Sequence, residues 1–127
     1  MRVLLVHNAY GKRSGEEVVV DQQVELLSGA GHDVKVFHRS SEDLRSSKLA
    51  QIGAFAAGVW NPRAISEIKA LLAQYKPDVV HVHNLYPWIS PAALPSIKAL
   101  GYPVAMTVHN YRLMCPVSYT HLTLPTN

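Results

Sequence analysis

The sequence predicts a doubly wound α/β domain, in which helices cover both faces of one parallel sheet. Short valine-rich runs alternate with stretches of helical periodicity, and consecutive strand–helix–strand units form parallel sheets through right-handed crossovers. The valine-rich runs also lack the apolar–polar alternation of a strand with one wet face, as expected for strands that are covered on both sides. The 127 residues suffice for a single domain with a buried core.

Four strands and the helix after the first of them follow from local patterns. The valine-rich runs predict strands over residues 2–6, 33–37, 78–83 and 103–109. Three apolar residues after the first strand recur at i, i+4 and i+7 on one helical stripe: Val20, Val24 and Leu27. This helix begins at a predicted capping box between Ser14 and Glu17 and ends at residues 29–31, where glycine accepts the left-handed conformation.

Two further helices are predicted in the second half of the chain. One begins at Asn61 as the N-cap, has Pro62 at its first helical position and ends before Lys76. Its apolar face consists of Ile65, Ile68, Leu72 and Tyr75. The other covers about residues 90–100, unless Pro95 delays its start to that position. Between the second strand and these helices, residues 49–57 predict a short helix or a loosely ordered loop.

Composition excludes several classes of protein. The net charge is only +3 and the basic residues are scattered, which argues against a nucleic-acid-binding stripe. Cys115 is the single cysteine, so no internal disulfide can form. The first apolar run is too short for a signal peptide core or a membrane span. A cytoplasmic protein is the expectation.

Charge is distributed unevenly along the chain. All nine acidic residues lie at or before Asp78, and beyond that residue the only formal charges are those of Lys98 and Arg112. A half with so few charges is expected to be deeply buried or to face another domain. We therefore expect self-association or poor solubility of the chain on its own.

Three of the four predicted strands are followed by, or end in, a histidine–asparagine pair. The pairs are His7-Asn8, His83-Asn84 and His109-Asn110. Ligands of parallel α/β sheets bind beyond the carboxyl ends of the strands, and a purely structural domain has no reason to repeat polar pairs there. This repetition is the main indication of a functional site that the residues give without any comparison.

Each candidate residue also has a structural interpretation. The loop from Gly11 to Gly15 could bring backbone amides to a phosphate, or it could be an ordinary capped turn, since it lacks the spacing of dinucleotide sites and P-loops. His81 and His83 share one face of a strand and could bind a metal ion, but no carboxylate follows Asp78. The alternative is that His81 is hydrogen-bonded beneath a helix while His83 reaches the crevice.

The remaining candidates carry weaker patterns. His109 could act as a base, a phosphate ligand or a transition-state stabiliser, or it could be a structural histidine in a turn. Trp60 and Trp88 are more typical of packing than of stacking on a ligand. Cys115 has no visible activating base and is expected to be inert.

Five blocks of the sequence, in order, resemble the N-terminal domain of glycosyltransferase family 4 over residues 1 to about 116. The blocks are M-R-V-L-L-V-H-N-A-Y-G, S-G-E-E, W-N-P-R, P-D-V-V-H-V-H-N and M-T-V-H-N-Y-R-L-M-C-P. The resemblance implies a Rossmann-like domain, the acceptor-side half of a GT-B enzyme truncated before the domain that binds the nucleotide sugar. It further implies transfer with retention of configuration, with no metal ion and no cofactor beyond the nucleotide-sugar donor.

The resemblance also implies roles for residues. His109 would be the catalytic residue that faces the transferred sugar. The loop near the donor phosphates and acceptor would contain Gly11, Ser14, Gly15 and Glu16, with Ser14-Gly15 standing where the family often has two glycines. The acceptor side would be lined by His83, Asn84, Asn110, Tyr111 and Arg112.

Residues 117–127 match nothing expected of the family and resemble translated vector read-through, so His121 receives no role. The expected function of residues 1–116 is to hold the acceptor (a glycan, a lipid or a small molecule), and the chain is expected to be inactive without its C-terminal domain. A lipid acceptor would bring the protein to the inner face of the membrane. The alternative from another class is a stand-alone Rossmann-like module that binds a small molecule without catalysis.

Overall fold

A computed structural model describes residues 1–9, 14–40, 58, 60–86 and 88–109. Its elements are, in chain order, β1 (Arg2–Ala9), α1 (Gly15–Gly29), β2 (Asp33–Ser40), α2 (Pro62–Tyr75), β3 (Val79–Asn84), α3 (Ala93–Ala99) and β4 (Val104–Met106). The short helix or loosely ordered loop predicted over residues 49–57 lies outside the described residues. None of the helices within the described ranges has the length and apolar character needed to span a bilayer.

The described strands form one parallel sheet in the order β2-β1-β3-β4, which confirms the predicted Rossmann-like α/β class. The chain moves from β1 to one neighbour, β2, and then crosses over to the opposite side of β1 to form β3. The boundary between β1 and β3 is therefore the topological switch point of the sheet. Ligands of such sheets bind beyond the carboxyl ends of the strands at this point.

The hydrophobic core lies between the sheet and the pair of helices α2 and α3. The predicted apolar face of α2 is buried, with Ile65, Ile68, Leu72 and Tyr75 each at most 6% exposed. These side chains pack against one face of β1 and β3, which supplies Leu4, Val6, Val80 and Val82. The side chains between them on both strands point to the opposite face, where α1 lies. The central strands β1 and β3 are therefore covered on both faces, as predicted, whereas the edge strands β2 and β4 are largely exposed among the described residues.

Capping interactions fix both ends of α1 as the sequence predicts. The Ser14 hydroxyl accepts a hydrogen bond from the amide of Glu16, and the Glu17 carboxylate accepts from the Ser14 amide at 2.7 Å. At the other end, Gly31 adopts a φ of +81°, and its amide donates to the Ser28 carbonyl at 3.0 Å. The left-handed conformation at Gly31 is the reason that the helix ends there.

Replacing Ser14 by alanine is expected to lower the free energy of unfolding by about 1 kcal/mol, because the first-turn amide loses its side-chain acceptor. Urea unfolding followed by circular dichroism measures this change. Ser28→Ala, in the exposed last turn of the same helix, is the matched control and should change stability by less than about 0.5 kcal/mol. Equal losses in the two variants would contradict the capping role of Ser14.

Several predicted boundaries were wrong, among them the end of β2, which lies at Ser40 instead of at residue 37. β1 continues to Ala9, so His7 and Asn8 lie within the strand. Its parallel pairing with β2 continues as far as Ala9, which pairs with Ser40. α3 begins at Ala93 instead of at residue 90 or at Pro95. Pro95 is tolerated in the first helical turn because the amides of that turn have no acceptor within the helix, so the missing N–H costs no hydrogen bond. β4 covers only Val104–Met106. It lies at the edge of the sheet, and among the described strands it pairs only with β3.

Candidate functional site

The site is built around an irregularity in the pairing of β1 with β3. Val6 pairs with Val82, but the next residue, His7, pairs with Asn84, so His83 is an extra residue on β3. Bulges of this kind bend a strand and redirect a side chain, and they are frequent next to active sites. Here the bulge lies at the carboxyl end of β3, at the topological switch point.

Five histidine side chains gather on the α1 face of the sheet around His83. The ring centroid of His83 lies 4.5 Å from that of His81, 5.1 Å from that of His109 and 6.3 Å from that of His7. The fifth ring, His38 on β2, lies 6.1 Å from His7. The predicted shared face of His81 and His83 is confirmed. His109 reaches the cluster from the segment that follows β4.

The hydrogen bonds of His83 determine its protonation. Its Nε2 lies 2.6 Å from Gln23 Oε1 on α1, and its Nδ1 lies 2.9 Å from His109 Nε2. Burial, as the largest cause, and the neighbouring imidazoles of His81, His109 and His7 together lower the pKa of His83 to about 4. His83 is therefore neutral at physiological pH, with one ring nitrogen as donor and the other as acceptor.

Two other histidines are also held in their neutral form. Burial lowers the pKa of His81, and its Nε2 lies 2.8 Å from the Thr107 hydroxyl, so the predicted structural hydrogen bond of His81 is present. His7 is 1% exposed, and burial lowers its pKa although the Glu17 carboxylate opposes the shift. Within the described part of the chain, neither ring nitrogen of His7 has a hydrogen-bond partner, since Glu17 Oε1 remains 3.7 Å from Nε2.

Two asparagines tie the carboxyl ends of β1 and β3 together. Asn84 donates from Nδ2 to the Asn8 carbonyl at 2.9 Å and accepts from the Tyr86 amide at 3.1 Å. Asn8 in turn accepts from the Trp88 amide at 3.3 Å. Both side chains are buried, so these hydrogen bonds fix the loop that follows β3. The acceptor-binding role of Asn84 stays a prediction.

A cavity of about 100 Å³ opens beside His83 and His109. Its walls are largely apolar and come from the loop after β3, from α3 and from β4 and the residues after it: Leu85, Tyr86, Pro91, Leu94, Met106 and Val108. Glu16, from the first turn of α1, and Asn84 complete the lining. The arrangement offers an apolar recess with imidazole, amide and carboxylate groups among its lining residues.

The structure brings together four of the predicted site residues, His83, Asn84, His109 and Glu16, at this cavity. Ser14 lies at the start of α1 with its hydroxyl and amide in the capping box. No described atom lies within 4 Å of the position that a Cβ would take at Gly15, so the described residues do not themselves require a glycine there. Gly11 and residues 110–112 lie outside the described residues. The roles assigned to all of these residues stay predictions.

Gln23 and Thr107 are among the residues of the site that were not expected from the sequence. Gln23 contacts His83, and Thr107 contacts His81. The signal for Gln23 was present but slight: it is a polar residue on the half-buried stripe of α1 that also carries Val20 and Leu27. Thr107 looked like an ordinary strand residue. Across the described ranges, no group of three or more histidine, cysteine or acidic side chains has a geometry suited to a metal ion.

Comparison with known proteins identifies the family of the chain. The family model described as Glycosyltransferase Family 4 matches residues 13–124, which is most of the chain. No curated protein and no solved structure matches it. The match begins after β1 and ends within residues 117–127, the segment that was expected to match nothing in the family. The division of the chain at residue 116 stays a prediction. A domain of this kind acts on a sugar donor and an acceptor. The chain belongs to glycosyltransferase family 4.

Proposed function

We propose that the chain is the acceptor-side half of a GT-B glycosyltransferase that moves a sugar from a nucleotide-sugar donor to an acceptor with retention of configuration. The observation that supports this role is the cavity beside His83 and His109 at the carboxyl ends of β3 and β4. It combines a recess for the acceptor with groups that can hydrogen-bond the sugar. Transfer in this proposal needs neither a metal ion nor a cofactor beyond the donor.

The charge of the cavity indicates where the donor is held. Among the described residues that line it, the only formal charge is the negative one of Glu16. A nucleoside diphosphate carries several negative charges and needs compensating cations or amide donors. We infer that the donor is bound mainly by a second, C-terminal domain, and that the loop with Gly11, Ser14 and Gly15 approaches its phosphates. The chain alone is then inactive.

The apolar walls indicate the class of acceptor. Apolar groups bury favourably against Leu94, Met106 and Val108, whereas a bare sugar would leave its hydroxyls without partners there. We therefore favour an acceptor that carries an alkyl or aryl group close to its reacting hydroxyl. A lipid of this kind would bring the cytoplasmic enzyme to the inner face of the membrane.

In the proposed reaction the acceptor oxygen bonds to the anomeric carbon while the bond from that carbon to the phosphate oxygen breaks. The nucleoside diphosphate leaves with the electron pair, and the acceptor proton passes to it. His109 is the proposed catalytic residue, which hydrogen-bonds the transferred sugar as positive charge develops on it. His83, Asn84 and residues 110–112 line the acceptor side.

Expression of the complete reading frame that contains this chain tests the proposal. Release of nucleoside diphosphate is measured with a panel of nucleotide sugars and with alkyl or aryl acceptors. His109→Ala is expected to lower kcat by about tenfold to hundredfold, since a hydrogen bond that strengthens in the transition state is lost. His32→Ala, in the turn between α1 and β2, is the matched control and should leave kcat unchanged.

The outcomes separate the two parts of the proposal. Transfer by the complete protein but not by the 127-residue chain supports the assignment of an acceptor-side half. Transfer at equal rates by both would contradict the division between two domains. Equal kcat in His109→Ala and in the unaltered protein would remove His109 from the mechanism.

A further inference from the structure

We propose that Gln23 and His83 are positioning residues that fix the proton of His109 on its Nε2 and so leave Nδ1 as the nitrogen that His109 can offer to a substrate. The three side chains come from α1, from the bulge of β3 and from the segment after β4. They form one continuous chain of hydrogen bonds, which we call the histidine relay (Gln23, His83 and His109). This inference rests on the proposed role of His109 in sugar transfer.

The first step of the relay is set by Gln23. Its Oε1 lies 2.6 Å from His83 Nε2 and can only accept a hydrogen bond, so Nε2 must carry the proton of His83. Gln23 is half-buried on the face of α1 that packs on the sheet, next to Val20. Its rotation is therefore restricted, and the acceptor is held in place.

The second step follows from the neutrality of His83. A neutral imidazole that donates from Nε2 has a lone pair on Nδ1, so Nδ1 accepts the hydrogen bond from His109 Nε2 at 2.9 Å. If His83 were protonated, its Nδ1 would also carry a proton and could no longer accept the hydrogen bond from His109 Nε2. The lowered pKa of His83 prevents that at neutral pH.

The bulge gives the relay its geometry. Because His83 is the extra residue between Val82 and Asn84, its ring can lie between α1 and the segment after β4 while both neighbouring residues keep their pairing with β1. The charged and titratable groups near this ring are His7, His81, His109 and the Glu16 carboxylate at the cavity. Of these, the structure shows only His109 in a hydrogen bond with His83.

Nuclear magnetic resonance of the ¹⁵N-labelled chain tests the relay without any assay of activity. Long-range ¹H–¹⁵N spectra at pH 7 should show the proton on Nε2 in both His83 and His109. A coupling across the hydrogen bond should join His109 Nε2 to His83 Nδ1. A proton on Nδ1 of His83, or the absence of that coupling in the folded chain, would overturn the proposal.

Two substitutions at Gln23 sharpen the test. Gln23→Met removes the acceptor at nearly constant size, so the coupling should weaken and His83 should populate both neutral tautomers. Gln23→Glu keeps an acceptor and adds a negative charge, so the coupling should persist at pH 8 and the titration of His83 should move to higher pH. Gln22→Met, on the exposed side of the same helix, is the control and should leave both signals unchanged. Signals unaffected by Gln23→Met would remove Gln23 from the relay.

In the complete enzyme, Gln23→Met is expected to lower kcat about tenfold with little change in KM for the donor. The activity of Gln23→Glu should fall on the acid side of neutrality, where His83 becomes protonated. If the resonance spectra show an intact relay but the complete protein transfers no sugar, the proposed function is refuted and the relay is not. Absence of the coupling in an active enzyme would refute the relay alone.

Discussion

Lowering the pH from 7 to 5 is expected to reduce the free energy of unfolding by about 2 kcal/mol through His83 alone. The pKa of His83 is about 4 in the folded protein and near 6.5 in the unfolded chain. In this window the unfolded chain therefore binds a proton that the folded state excludes. The stabilising contribution is complete well above pH 6.5 and is lost progressively as the pH falls from there to the folded pKa of about 4. His7 and His81, whose pKa values are also lowered, act in the same direction.

Urea unfolding at pH 7, 6 and 5 measures this dependence before the carboxylates titrate appreciably. His83→Asn retains an acceptor near the position of Nδ1 but cannot bind a proton, so its stability should fall less steeply with acid. His32→Ala, outside the cluster, should reproduce the unaltered slope. A free energy of unfolding that stays constant between pH 7 and pH 5 would contradict the neutrality of the buried histidines.

Leu72→Ala is expected to lower the free energy of unfolding by about 2–5 kcal/mol, because it removes a fully buried side chain and leaves a cavity beneath α2. Its neighbours in the core, among them Leu4 and Val80, lie on rigid central strands and cannot collapse fully into the space. Such a loss is a large fraction of the stability of a domain of this size.

The same substitution at an exposed position provides the control for Leu72. Leu26 is 73% exposed on α1, and Leu26→Ala should change the free energy of unfolding by less than about 0.5 kcal/mol. Urea unfolding at pH 7 gives both values. Comparable losses at the two positions would mean that α2 does not form the core described above.

The fold was largely predictable because its signals are local. The capping residues Ser14 and Asn61 and the buried stripe of α2 each depend on side chains a few positions apart, and all three are confirmed. Strand ends were harder, since they depend on pairing with distant neighbours. β1 extends to Ala9 because β2 accompanies it to Ser40, which the residues of β1 alone do not reveal.

The candidate site was predictable only in outline. Histidine–asparagine pairs at strand ends led to the edge of the sheet at which the cavity lies, and the family match agrees with the resemblance. The contact of Gln23 with His83, sixty residues away, was not foreseen, because a glutamine on a helix has no distinctive pattern. The bulge at His83 was missed for a different reason, since the shift in pairing arises from two strands together.

The central position of β1 has a consequence for how the protein is made. β1 is synthesised before the other described strands, yet one of its two partners, β3, is complete only at Asn84. Its apolar residues Val3 to Val6 therefore remain without their β3 partners while about eighty further residues are synthesised, which takes several seconds. During this interval the nascent chain exposes a short, strongly β-prone segment. We expect chaperones that bind nascent chains to engage this segment until β3 has left the exit tunnel.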